Sequence, residues 1–308
     1  MAAPLLRLGT RGSKLALVQA GLVREALSNA MPALAQPGAI EVVTIRTTGD
    51  AIQDRPLADA GGKGLFVKEI EEALLDNRID AAVHSMKDMP TALPSGLMIA
   101  AFLPREDARD ALIAGETTRI AELRKGAIVG TSALRRRAQL LHLRPDLQIV
   151  NLRGNVDTRL AKREAGVVEA TLLAIAGLKR LGMDHVGTPV AEDEILPAVG
   201  QGAVCIECRA DDNGTRTWLA GVDHAPTGRA VAAEHAMLAV LDGSCRTPIA
   251  GHAVINADGS LHLRGRIIKP DGSKMHAVDR RGAAADSAAL GKDAGLELKR
   301  RCGPDFLS

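Results

Sequence analysis

The stretch Ala127-Ile128-Val129-Gly130-Thr131-Ser132-Ala133-Leu134-Arg135-Arg136-Arg137-Ala138-Gln139-Leu140-Leu141-His142 changes its period partway through. Ala127 to Gly130 is a short apolar run that reads as a strand, and Ala133 to His142 reads as a helix. Gln148 to Leu152 is again strand-like, and Val156 to Ala165 is again helical. Short strands alternating with helices argue for an α/β fold with largely parallel sheets. The same alternation occupies the N-terminal part: Leu5 to Leu8 (strand), Ser13 to Leu27 (helix), Ile40 to Arg46 (strand), Phe66 to Asn77 (helix, apolar at Phe66, Ile70 and Leu74) and Ala81 to His84 (buried strand). Between them Thr47 to Gly64 is polar and Gly-rich without periodicity, the composition of a lid or loop. Beyond Ala225-Pro226-Thr227-Gly228 the style changes. A helix from about Arg229 to Val240 leads into three strand-like runs, Ile249 to Ile255, Leu261 to Ile268 and Met275 to Asp279. These are separated by Ala257-Asp258-Gly259 and Pro270-Asp271-Gly272, which carry hairpin chemistry, and a helix from Ser287 to Arg301 follows. This is a small α+β domain with an antiparallel meander, bounded near residue 222.

Composition excludes several classes. The 308 residues carry 39 Lys+Arg against 37 Asp+Glu, a net charge of +2, which does not suit a bulk electrostatic grip on duplex DNA. There is no Tyr, one Trp (Trp218) and three Phe (Phe66, Phe102, Phe306), so the stacking platforms of single-strand binders are missing. No apolar run has the length of a membrane span. Arg7, Arg11 and Lys14 interrupt the N-terminal apolar stretch, which therefore lacks the core of a secretory signal. The expectation is a cytoplasmic protein with reduced thiols, no nucleic-acid partner and no membrane partner.

Three clusters at strand ends carry chemistry. In the opening stretch, Thr131 or Ser132 is placed to cap the helix, and Arg135 to Arg137 then stand in a first turn whose dipole disfavours cations. Either these arginines form a solvated basic face, or they fork onto a carboxylate or phosphate ligand. Asn151-Leu152-Arg153-Gly154-Asn155-Val156-Asp157-Thr158-Arg159 repeats the habit with Arg153 and Arg159, and Gly9-Thr10-Arg11-Gly12-Ser13 repeats it with Arg11. Ligands of open α/β sheets bind beyond the carboxyl ends of the strands, so the implied ligand carries several negative charges. His84-Ser85-Met86-Lys87-Asp88-Met89-Pro90 adds an imidazole, a cation and a carboxylate to one loop.

Cys205 and Cys208 form a CxxC, but Ala203 to Arg209 reads as a strand, where positions three apart face opposite ways. With no partner pair at zinc spacing, no metal site is expected. Cys302 ends the last helix. Cys245 differs: it lies in the turn Asp242-Gly243-Ser244-Cys245-Arg246-Thr247-Pro248, where the neighbouring Arg246 favours the thiolate and covalent chemistry.

With these motifs the chain closely resembles the porphobilinogen deaminase (hydroxymethylbilane synthase) family of haem biosynthesis. The likeness runs from Gly9-Thr10-Arg11 through the Gly-Lys-Gly-Leu-Phe stretch at 62–66, His84 to Pro90, Gly130 to Arg136 and Asn151 to Arg159. It continues through Ala176-Gly177-Leu178-Lys179-Arg180 and Gly200-Gln201-Gly202-Ala203 to Cys245. The resemblance implies two α/β domains like those of periplasmic binding proteins, flanking a cleft, and a small C-terminal α+β domain with a three-stranded antiparallel sheet. In those terms the domains are 1–103 with 202–221 returning to it, 104–201, and 222–308. It implies a transferase that joins four porphobilinogen molecules head to tail with loss of ammonia and releases a linear tetrapyrrole, acting as a monomer. The primer is a dipyrromethane cofactor held by Cys245 through a thioether. Carried over by position, Asp88 is the catalytic carboxylate. Ser85, Lys87, Asp88, Thr131, Arg135 and Arg136 hold the cofactor. Arg11, Arg153, Arg159 and Arg180 hold substrate carboxylates, assisted by Ser13 and Gln19, while Lys63 and Phe66 belong to the loop over the cleft. Ala133 stands where some members carry Ser, and Cys205 where Gly is common. A non-catalytic binding protein for small polyanions is the competing reading, and it would need neither Cys245 nor Asp88.

Overall fold

The computed structural model describes residues 3–51, 65–243, 247–303 and Phe306. Its strands are β1 (Leu6–Arg11), β2 (Ile40–Ile45), β3 (Ala81–Ser85), β4 (Leu97–Phe102), β5 (Asp110–Ile113), β6 (Ile128–Gly130), β7 (Gln148–Val150), β8 (Ala170–Ala174), β9 (Thr188–Pro189), β10 (Val204–Arg209), β11 (Ile249–Ile255), β12 (Ser260–Ile268) and β13 (Met275–Ala283). The helices are α1 (Lys14–Ala30), α2 (Thr48–Ala51), α3 (Lys68–Leu75), α4 (Leu134–Leu143), α5 (Val156–Glu164), α6 (Ile175–Arg180), α7 (Asn213–Ala220), α8 (Ala225–Val240) and α9 (Ser287–Cys302). Two compact units divide the chain: Met1–Arg105 with Ala203–Gly228, and Glu106–Gly202 with Arg229–Ser308.

The first unit is built on a sheet of order β2-β1-β3-β10-β4. Parallel pairing of β1 with β2 and with β3 sets their carboxyl ends along one edge. β10 runs antiparallel to both β3 and β4, so this sheet is mixed rather than largely parallel. α1 covers one face. Ser13 caps it by accepting from the Ala16 N–H at 3.3 Å, and Ala20, Val23 and Leu27 pack fully buried against Leu6, Leu8 and Ile206. Each of the Val, Leu and Ile side chains among them contributes roughly 1.5–3 kcal/mol on leaving water.

The second unit holds two sheets. One has the order β7-β6-β8-β5-β9, with β6 parallel to β7 and β8, and β5 antiparallel to β8 and β9. It departs from a parallel sheet for the same reason as the first: a strand enters it from the opposite direction. The other is the meander β11-β12-β13, in full antiparallel register. α8 starts at Ala225, four residues before the expected start, because Pro226 is compatible with a first helical turn, where its missing N–H costs nothing. α9 packs tightly on α8. A Cβ added at Gly291 would lie 2.0 Å from the Ala233 carbonyl oxygen, and one at Gly295 would lie 2.8 Å from that of Met237. Among the described residues no helix is long and apolar enough to cross a membrane.

Candidate functional site

Parallel pairing brings the motif ends of the first unit together. Arg11 closes β1, Ser85 closes β3, and Met86–Asp88 form a 3-10 turn directly after it. An Arg11 Nη1 lies 3.8 Å from Asp88 Oδ2, an ion pair with both side chains partly open to solvent. The Arg11 guanidinium also stacks on Phe66, 4.2 Å from the ring centroid. Gln19, buried on α1, donates to Ser85 Oγ at 2.9 Å, which ties the helix to the strand end. Lys87 is half-buried in the same turn. Arg11, Ser13, Gln19, Phe66, Ser85, Lys87 and Asp88 therefore belong to one edge of one unit. Lys63 and Cys245 lie outside the described residues.

Behind this edge is a buried polar trio that sequence reading did not single out. His84 Nε2 and Glu207 Oε2 are 3.1 Å apart and almost wholly buried, and Glu71 of α3 joins them. Burial, and then the Glu207 charge, push the Glu71 carboxyl up to about 7, against an opposing influence of His84. Cys205 sits fully buried with its thiol 3.8 Å from the His84 carbonyl oxygen. Burial, followed by the charges of Glu207 and Asp88, raises its pKa well above the usual thiol value, so it is an inert thiol. Among the described residues no group of His, Cys, Asp or Glu could hold a metal ion.

The second unit repeats the arrangement. The carboxyl ends of β6, β7 and β8 share an edge, and Thr131, Arg135, Arg136, Arg153, Arg159 and Arg180 follow these ends. The Thr131 N–H donates to the Val150 carbonyl at 2.9 Å. The helix cap, however, is Ala133. Its backbone is extended and no side chain caps it, while Thr131 Oγ1 accepts from the Ala133 N–H at 3.2 Å, one step before the helix. The expected capping role of Thr131 or Ser132 is thus replaced by a hydroxyl that shapes the approach to α4.

The arginines of that turn find their compensating carboxylate inside the protein, in Asp110, while Arg137 is exposed. Arg136 forks onto Asp110, with Nη2 to Oδ1 at 2.7 Å and Nε to Oδ2 at 3.2 Å, and its Nη1 donates to the Leu172 carbonyl at 2.8 Å. Arg135 donates to Asp110 Oδ2 at 2.8 Å and to the Leu196 carbonyl at 2.6 Å. Gln201 Nε2 donates to Asp110 Oδ1 at 2.8 Å and to the Ala108 carbonyl at 2.6 Å. Asp110 and the role of Gln201 were missed. The available signal was a carboxylate heading the apolar run Ala111-Leu112-Ile113, where a charge must be paired to be buried.

Arg159 donates from Nε to the Gly154 carbonyl at 2.8 Å. Burial and then the like charges of Arg136 and Arg153 lower its pKa to about 10. Arg180 donates to the Gly202 carbonyl at 2.6 Å, and burial lowers its pKa too. Cations held close enough to destabilise one another, with one buried carboxylate between two of them, leave a net positive site. A polycarboxylate fits it, and a dipyrromethane bearing acetate and propionate side chains is such a group.

The fold is α/β, and each of its two units carries arginines at or after the carboxyl ends of its parallel strands: Arg11 in the first, and Arg135, Arg136, Arg153, Arg159 and Arg180 in the second. Residues 6–217 match the family model for the porphobilinogen deaminase, dipyromethane cofactor binding domain, and residues 229–300 match that for the porphobilinogen deaminase C-terminal domain. The porphobilinogen deaminase of Nitrobacter hamburgensis is 54% identical over 305 residues, covering 99% of this chain and 96% of that one. That of Paracoccus denitrificans is 55% identical over 302 residues (98% and 96%), and the chloroplastic enzyme of Oryza sativa subsp. japonica is 52% identical over 305 residues (98% and 85%). Among solved structures, the periplasmic substrate-binding protein of an ABC transporter from Coxiella burnetii aligns with 75% of this chain and 96% of its own, at 16% identity and a TM-score of 0.42. The chain belongs to the porphobilinogen deaminase family.

Proposed function

We propose that the chain is a hydroxymethylbilane-forming transferase that joins four porphobilinogen molecules head to tail, releasing ammonia at each addition, with Asp88 as its catalytic carboxylate. The observation that carries this reading is the Asp88 carboxylate beside Arg11 at one sheet edge, taken with the arginine excess at the corresponding edge of the other unit. Dipyrromethane, bound through a thioether to Cys245, supplies the free pyrrole carbon on which the chain is begun. Ser85, Lys87, Thr131, Arg135 and Arg136, with Asp88, are the residues that would hold it.

Loss of ammonia from porphobilinogen leaves an electron-poor methylene conjugated with the pyrrole nitrogen. A carboxylate accepting the pyrrole N–H stabilises that charge most where it is greatest, and Asp88 is the acidic group available for it. Arg11, Arg153, Arg159 and Arg180 orient the acetate and propionate groups, assisted by Ser13 and by Gln19, which also bonds the Ser85 hydroxyl. Phe66 gives the Arg11 guanidinium an apolar wall.

The same reading divides the protein into domains 1–103 with 202–221, 104–201 and 222–308, each built on one of the three sheets. It gives a cytoplasmic monomer whose ligands are small polycarboxylates rather than nucleic acid. Intact-mass measurement of the chain made in a haem-competent host tests the covalent part. Active protein carries one dipyrromethane adduct per chain, and Cys245→Ala carries none. Active wild-type protein at the bare polypeptide mass overturns it.

A further inference from the structure

Asp110 has no place in the chemistry above, yet it is the fixed point of the second arginine group. It is fully buried, and its carboxylate receives four donors: Arg135 Nη2 and Arg136 Nε on Oδ2, Arg136 Nη2 and Gln201 Nε2 on Oδ1. Burial alone would raise its pKa, but Arg135 and Arg136 hold it well below the usual carboxylate range. The backbone is equally constrained: Asp110 pairs with Ala174 in the sheet, and its carbonyl accepts from the Val190 N–H at 2.8 Å.

One carboxylate balances the charge of one cation. Here two guanidiniums, 6% and 5% exposed, share a single carboxylate. Among the described residues Asp110 is the only carboxylate bonded to either guanidinium, and the positive charge it leaves over is costly to bury without a further anion.

We propose that Asp110 is a positioning residue of the cofactor site: it fixes the guanidinium planes of Arg135 and Arg136 before the ligand arrives and leaves the pair one positive charge in excess for a dipyrromethane carboxylate. Planes fixed in advance lose little rotamer entropy on binding. Gln201 supports this by holding the second carboxylate oxygen. The inference rests on the assignment of Arg135 and Arg136 to the cofactor.

Asp110→Asn keeps the volume but turns an NH2 group toward guanidinium donors, whereas Asp110→Glu keeps the charge. Full-length chains made in a host unable to supply porphobilinogen are titrated with porphobilinogen. The fraction carrying the adduct is read by intact mass, with melting temperature measured in parallel. The porphobilinogen concentration for half-loading rises at least ~10-fold in Asp110→Asn and no more than ~3-fold in Asp110→Glu, although both melt earlier than wild type. Wild-type loading by folded Asp110→Asn, or loading that follows melting temperature instead of charge, overturns the proposal. Should Asp110→Asn not fold, Gln201→Met leaves every charge in place. It raises the half-loading concentration two- to threefold with unchanged far-UV circular dichroism, and unchanged loading again overturns the role. Arg136→Gln in the same titration separates the two levels. Normal loading there removes Arg136 from the cofactor site, whereas defective loading there with normal loading by Asp110→Asn refutes only the positioning role.

Discussion

Replacing Glu71 by Gln tests the buried trio beneath the Asp88 turn. In the folded chain the Glu71 carboxyl keeps its proton up to about pH 7, because burial and the neighbouring Glu207 charge oppose ionisation; in the unfolded chain it loses the proton near 4.5. Between those values the folded state binds more protons than the unfolded state, so wild-type stability falls as pH rises, by at most about 1.4 kcal/mol per pH unit. Across the whole window the loss is roughly 3 kcal/mol, and above about pH 7, where both states are ionised, it stops growing. The amide introduced by Glu71→Gln mimics the protonated carboxyl at every pH. Urea unfolding of wild type and Glu71→Gln from pH 5 to 8 therefore gives two curves that diverge upward in favour of the variant and become parallel above pH 7. Groups that do not interact with Glu71 cancel in that difference, whereas Glu207 and His84, which do, titrate with it as one set. Curves that stay parallel across the whole range refute the assignment of a raised carboxyl to Glu71.

Asp88→Asn folds and carries the adduct by intact mass, but turns over roughly 10²-fold more slowly or worse; near-normal turnover removes Asp88 from the mechanism. Arg153→Ala and Arg159→Ala impair chain elongation while the circular dichroism stays that of wild type, and unchanged elongation kinetics in both would contradict their role as carboxylate anchors. Gly291→Ala drives a methyl into the Ala233 carbonyl and lowers stability by about 1–3 kcal/mol in chemical denaturation, with a wild-type result showing that α8 and α9 can separate cheaply.

The strand–helix alternation and the meander were legible because period and turn chemistry are local properties: the Asp258-Gly259 and Asp271-Gly272 turns sit between the very strands they were expected to join. Arg11, Arg153 and Arg159 were legible as site candidates from their places after short apolar runs. What stayed hidden was pairing at long separation. The partner of Arg135 and Arg136 is Asp110, some 25 residues upstream, and the partner of His84 is Glu207, 123 residues downstream. Neither distance leaves a periodic trace. Only a carboxylate heading or interrupting an apolar strand, as in Asp110-Ala111-Leu112 and Ile206-Glu207-Cys208, announces that a buried cation or imidazole must be waiting elsewhere. The antiparallel entry of β10 was hidden too: an isolated apolar run does not state its direction, and only resemblance suggested that this segment returns to the first domain.

That returning strand has a consequence for how the protein is made. β10 fills the place between β3 and β4, so on a ribosome the first sheet must wait for residues 204–209 while about a hundred intervening residues are synthesised. During that interval β3 and β4 present bare hydrogen-bonding edges, the feature that invites pairing with other chains. The sheet built from β5 to β9 is complete before β10 emerges and can form at once. The N-terminal sheet, although begun first, is therefore completed after the sheet built from β5 to β9, and nascent chains truncated before residue 204 should be the ones that chaperones retain.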